Sequence, residues 1–132
     1  MFWLRVFEPF RRHHEFCRTT RAELETLAKK RPTGISRKQW HHIVNWTLNA
    51  HSNTLVATRQ MPREEMDRFE TELKQRLQGP VDLGTIDWIW DEFVRLAPGW
   101  GPSYSERWRP TSPEKLREFE ESSDTIIGVE VD

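Results

Sequence analysis

Apolar residues recur at intervals of three and four along most of the chain, the period of a helix that buries one face. The pattern is cleanest in residues 62–78. There Met66, Phe69, Leu73 and Leu77 form a narrow stripe. Pro62 suits a first helical position, Glu64 and Glu65 fill the first turn, and Lys74 and Arg76 fill the last, so each charge sits at the helix end that favours it. Gly79-Pro80 ends the element. A second helix is predicted near 36–59. Ser36 and Gln39 have capping-box spacing, and Trp40, Ile43, Val44, Thr47, Leu48 and Leu55 follow at helical intervals. Ser52-Asn53 marks the place for a break, because both side chains compete for backbone groups. A helix near 85–97, with Thr85 as cap, carries Ile86, Ile89, Trp90, Phe93, Val94 and Ala97 and should be the most central. A helix near 20–31 is predicted to open on the Thr20/Glu23 capping box, to bury Leu24, Leu27 and Ala28, and to stop at Pro32 and Gly34.

The flanks are less regular. Residues 1–18 read as an N-terminal arm: Phe2, Leu4 and Val6 alternate as in a strand but also fit a helical turn, and Pro9 limits both readings. Residues 98–113 hold four Pro and two Gly together with Trp100, Tyr104 and Trp108, an aromatic, proline-rich irregular wrap. Residues 112–132 are predicted as a short acidic helix to about Glu121 followed by a loosely held tail. Alternation of Ile127, Val129 and Val131 also admits a short strand pair between the termini. The predicted fold is therefore all-α: a bundle of four principal helices over residues 1–111, with 112–132 appended.

Composition supports a folded chain, since seven Trp add large apolar area to a modest aliphatic supply. The single Cys17 excludes an internal disulfide and predicts a cytoplasmic setting. No apolar run approaches the roughly 20 residues of a membrane span, and Arg5 and Glu8-Pro9 interrupt the start where a secretory signal would be apolar. The net charge of −1 conceals a division: residues 1–60 carry 11 Lys/Arg against 4 Asp/Glu, and residues 61–132 carry 9 against 17. The basic half has either an anionic partner or its own acidic half to meet.

Candidate chemistry follows from that. Arg11, Arg12, Lys29, Lys30, Arg31, Arg37 and Lys38 are the anion-binding candidates. The two helices around Pro32-Thr33-Gly34 mimic a helix-turn-helix only superficially, because the second carries Trp and Ile where base-reading polar residues belong. His14, Cys17, His41 and His42 are the residues that could converge on a metal, although adjacent histidines on a helix point about 100° apart and each pair would supply one ligand. Cys17 lacks a glycine-rich or elbow-like turn to serve as an oxyanion site, so a nucleophilic role is not favoured. Asp87 and Asp91 share a helical face beside Trp88 and Trp90. They could form an acid pair, and are more simply a polar stripe that meets basic residues of the first half. Pro110 and Pro113 beside Arg109 give the spacing read by proline-binding modules. The residues Val129-Glu130-Val131-Asp132 resemble, at three positions, the Glu-Glu-Val-Asp tail that helical-repeat chaperone adaptors clamp. Aromatics and arginines in residues 2–12 could touch an anionic membrane weakly. By elimination the chain reads as a non-catalytic helical interaction or accessory protein that binds another protein or itself, with Trp100, Tyr104 and Trp108 as partner-surface candidates and no cofactor predicted. Nucleic-acid or anionic-surface binding through the basic half is the alternative, and a metal-dependent enzyme using His and Cys is third.

Overall fold

A helix that starts eighteen residues earlier than predicted organises the molecule. The computed structural model describes residues 2–99, 109–122 and 128–132, with side chains from Glu8 onward. Helix α1 spans Phe2–Glu25 and closes in a 3-10 turn at Thr26–Lys29; α2 spans Arg37–His51 and continues as a π turn over Ser52–Val56; α3 spans Arg63–Arg76, α4 Leu83–Leu96 and α5 Pro113–Glu121. The described residues contain five α-helices and no strand, so neither the four-helix count nor the terminal strand pair matches.

The separate arm over 1–18 is overturned: α1 runs through Pro9, and Thr20 lies inside it. The Thr20/Glu23 capping box does not form, because the Thr20 hydroxyl has other partners. It donates back to the Phe16 carbonyl at 2.7 Å, and its oxygen lies 2.8 Å from His51 Nε2 on α2. A threonine caps a helix only where backbone N–H groups are free; inside a helix it bonds the carbonyl four residues back. The Ser36/Gln39 capping box forms as predicted, with bonds of 3.1 and 2.9 Å. The predicted 36–59 helix is a single rod whose hydrogen-bond pattern widens at Ser52 rather than breaking. Helix α4 is capped by Asp82, whose carboxylate accepts the Thr85 N–H at 2.9 Å, so Thr85 is inside the helix. Ser112 caps α5 ahead of Pro113, as its sequence predicts.

Contacts fix the directions of the helices. Glu8 meets Arg63, Arg12 meets Asp67 and Glu70, and Phe16 meets Phe69, so α1 and α3 run parallel. Between α1 and α2 the sense reverses: Trp40 Nε1 donates to Leu27 O at 2.7 Å, and His13 Nε2 donates to Leu55 O at 2.8 Å. Helix α4 returns against α3, as Phe69–Phe93, Arg68–Glu92 and Glu65–Arg95 show. The centre is aromatic. Phe16, Trp40, Phe69 and Phe93 are fully buried, with Phe16–Phe69 and Phe69–Phe93 ring centres 6.1 and 6.4 Å apart, the spacing of favourable tilted pairs. Helix α5 lies on α2 through Phe119, which stacks on His42 at 4.9 Å and meets Trp46 edge-on at 5.3 Å.

The end of the chain is not loose where it is described. Val131 is 2% exposed and belongs to the core, and the Asp132 N–H bonds the Ala28 carbonyl. Two valines and main-chain hydrogen bonds hold a segment that its polarity alone predicts to be free.

Replacing Thr20 with Val keeps the shape and removes the hydroxyl that serves His51. An unpaired buried donor is worth about 1–3 kcal/mol. T20V is expected to lower the unfolding free energy by that amount, read as a lower urea midpoint at an unchanged m-value.

Candidate interaction surfaces

The cations of the first half sort by what they hold. Arg12, 13% exposed, donates to Asp67 Oδ1 and Glu70 Oε2, both at 2.7 Å. Burial works against its charge, but the hydrogen bonds and charges of Glu70 and Asp67 outweigh that and hold the guanidinium above its ordinary value. Arg11 pairs with Glu8 on the exposed side of α1. Lys30 donates to the carbonyls of Leu77 and Gly79, closing the C-terminal end of α3, where positive charge is favoured. Arg31 donates to Ile35 O and Asp132 O, Arg37 to Val131 O, and Lys38 to Glu120 O and Ser122 O. Lys29 has no hydrogen bond or ion pair among the described residues. Arg11 and Arg12 stand near the start of α3 and the others near its end, roughly 25 Å away at 1.5 Å per residue. The structure thus divides these candidates between two ends.

The His and Cys candidates are divided too. Cys17 Sγ lies 3.5 Å from His13 Nε2 and 3.6 Å from Leu55 O. Both side chains attend the Leu55 carbonyl, in the last turn of the rod. Burial pushes the Cys17 thiol up to about 11, the opposite of what a nucleophile needs. His14 is exposed, His41 is buried with no partner for Nε2, and His42 sits 2.8 Å from Ser122 Oγ. Burial, with the charges of His41 and Lys38, holds His42 below its ordinary value. Among the described residues no three His, Cys, Asp or Glu side chains are grouped as metal ligands.

The most perturbed histidine is one the sequence did not single out. His51 is 1% exposed, and burial, with the nearby Arg21 charge, lowers it to about 4. Thr20 has one hydroxyl proton, and Phe16 O receives it. The hydrogen between Thr20 and His51 therefore belongs to His51 Nε2, and Nδ1 is a bare lone pair without a partner. Protonating Nδ1 would bury an N–H that has no acceptor.

The acids also have structural work. Glu92, nearly buried, is gripped by Arg68 and Arg95 at 2.7 Å each, and Arg95 also reaches Glu65 at 2.6 Å. Burial still raises Glu92 above its ordinary value against the pull of Arg68. Asp87 and Asp91 meet Arg109 and Thr111 from the second half, not the basic residues expected from the first. Pro110 is buried, so its proline pair is not presented to a reader. Trp88, off the apolar face of α4, lies between Phe69 at 5.6 Å and the Arg76 guanidinium at 4.3 Å. Trp100, Tyr104 and Trp108 lie outside the described residues, as do the side chains of residues 2–7.

One end of the bundle exposes two large apolar side chains among charged neighbours. Phe10 is 59% exposed and Val56 43%. One helical turn separates Phe10 from His13, which bonds Leu55 O, so the two lie at the same end. A cavity of about 270 Å³ opens there between Pro9, Met61 and Met66, rimmed by Arg12, Arg59 and Arg63. Helix α3 begins at Arg63, level with Glu8, and the π turn ends at Val56. The α1 backbone before Glu8 therefore runs past the start of α3. Nothing in the residue pattern separated Phe10 from Phe16; the register of α1 on α3 does.

No helix among the described residues is long and apolar enough to cross a membrane. Comparison of the chain with known protein families, with curated proteins and with solved structures gives no match.

The His51 geometry gives a pH dependence with a definite sign. Its folded value of about 4 lies below the ordinary 6.5, so the unfolded chain takes up the proton first as pH falls. Stability contributed by neutral His51 is complete above pH 6.5 and is lost down to about pH 4, by about 3 kcal/mol in all. Raised Glu92 acts in the opposite sense in acid. H51L is expected to flatten the denaturation midpoint between pH 7 and 4.5 relative to the parent, with Glu92 common to both.

Proposed function

We propose that the protein is a small, non-catalytic helical interaction protein that binds another macromolecule, and that it docks a protein partner at the end of the bundle where α1 passes the start of α3. The carrying observation is Phe10. It is a large aromatic at 59% exposure, beside exposed Val56 and a cavity walled by Pro9, Met61 and Met66. Aromatic and methionine side chains around an arginine rim are the composition of protein-binding centres.

The alternative of an anionic partner rests on Lys29, Lys30 and Arg31, which line a surface cleft of about 410 Å³. It is the lesser reading, since Lys30 and Arg31 already hold backbone carbonyls.

Phe10→Asp removes the contact without touching the core, so it is expected to change stability by less than about 0.5 kcal/mol. A photo-cross-linking side chain at position 10 should trap a discrete protein adduct in cells, whereas the same group at exposed Arg117 on α5 should not. Equal adducts from the two positions, or F10D-sensitive binding to anionic vesicles in place of a protein adduct, would count against this docking end.

A further inference from the structure

The Gly128–Asp132 segment is held through its main chain, as a ligand is. The Asn45 side chain takes both backbone groups of Val129: Oδ1 accepts its N–H at 2.7 Å, and Nδ2 donates to its carbonyl at 3.1 Å. A third bond, from Nδ2 to His41 O at 2.9 Å, fixes the amide on α2. Arg37 Nε donates to Val131 O at 3.1 Å, Ala28 O accepts the Asp132 N–H at 3.1 Å, and Arg31 Nε donates to Asp132 O at 3.4 Å. Exposure alternates along the segment: Val129 is half-buried, Glu130 exposed, Val131 buried and Asp132 exposed. That is the period of an extended chain reading one face into a groove. Main-chain bonds for affinity and alternate pockets for specificity are how proteins recognise peptides.

The entry to the groove selects a residue as well. Gly128 has φ +144°, and a Cβ there would lie 2.1 Å from Asn45 Oδ1. Only glycine brings the chain close enough for the amide to bridge Val129. Charge points the same way. The groove is built on Arg31 and Arg37, and beyond Arg31 the cleft carrying Lys29 and Lys30 continues along Pro32, Thr33 and Gly79. Both exposed side chains of the bound segment, those of Glu130 and Asp132, are acidic.

We propose that the groove formed by Ala28, Arg31, Arg37 and Asn45 is a peptide-binding site for an acidic segment of another protein with the pattern Gly-Val-acid-Val-acid, and that residues 128–132 fill it in cis. This is a second surface, independent of the Phe10 end. A segment tethered to its own site acts at an effective concentration in roughly the millimolar range. An incoming peptide therefore binds measurably only when the internal segment is displaced, which makes the segment a brake on the site.

The test uses the full chain and an amidated, fluorescein-labelled peptide Ile-Ile-Gly-Val-Glu-Val-Asp. In G128V the added side chain collides with Asn45 and should expel the internal segment while leaving the groove intact. By fluorescence anisotropy, G128V is expected to bind the peptide at least tenfold more tightly than the parent. Adding N45A, or placing Asp in the peptide at the position of Val131, should remove the gain. A G128V protein with parental helical circular dichroism that binds no better than the parent overturns the proposal, as does binding indifferent to N45A. If G128V does not fold, the isotope-labelled parent is titrated with unlabelled peptide to about 10 mM, above the tethered concentration. The amide resonances of residues 128–132 should then move to unstructured positions, and resonances that stay in place overturn the proposal.

Discussion

The parallel contact of α1 on α3 is the constraint from which the other placements follow. Phe16 against Phe69 supplies its apolar centre, and Arg12 against Asp67 and Glu70 fixes its register. Two helices that run parallel and are not adjacent in sequence need an antiparallel element between them, which α2 provides, and α4 then returns along α3 to close the core. The division of charge along the sequence has a partial answer at this contact: a basic residue of the first half meets two acids of the second. A partly buried arginine held by two carboxylates is better defined in position than one in a single surface pair, because two charge-assisted bonds fix the guanidinium.

Two buried threonines repeat one device. Thr20 donates to Phe16 O and faces the His51 ring nitrogen; Thr47 donates to Ile43 O and receives the Trp90 N–H. In each case a hydroxyl already tied to its own helix offers its remaining lone pair to a ring on the next. The first joins α1 to α2 and the second joins α2 to α4. Such bonds add little net stability, but they penalise any rotation of one helix against the other, because a turned helix leaves a ring N–H unpaired. Polar residues that look like ingredients of chemistry serve here to choose one packing among several apolar ones.

What could be read in advance follows from the range of the forces involved. Helix α3 was legible because its stripe, Pro62, its end charges and Gly79-Pro80 are all local signals. The capping boxes show the limit: Ser36 and Gln39 formed theirs, whereas Thr20 and Glu23 have equally good spacing and did not. What decides between them is that α1 already runs from Phe2, so no backbone N–H is left free at Thr20 for a cap to bind. The candidate surfaces were less legible still. Asn45 carries no signature, and its partner at Val129 is set by the tertiary path. Lys30, Arg31 and Arg37 were noticed as charges, while their use is as donors to carbonyls. The exposure of Phe10 depends on where α3 begins relative to α1, which is a matter of register.

The π turn over Ser52–Val56 places one more residue in a helical turn than α-geometry holds. The widened turn leaves the buried face unchanged: Thr54 and Leu55 lie about two turns beyond Thr47 and Leu48, and all four are buried. In the last turn of the rod, where helix carbonyls have no following N–H, the Leu55 carbonyl meets both His13 and Cys17. The far end of α2 is thereby anchored to α1 at a single backbone oxygen shared by two side chains.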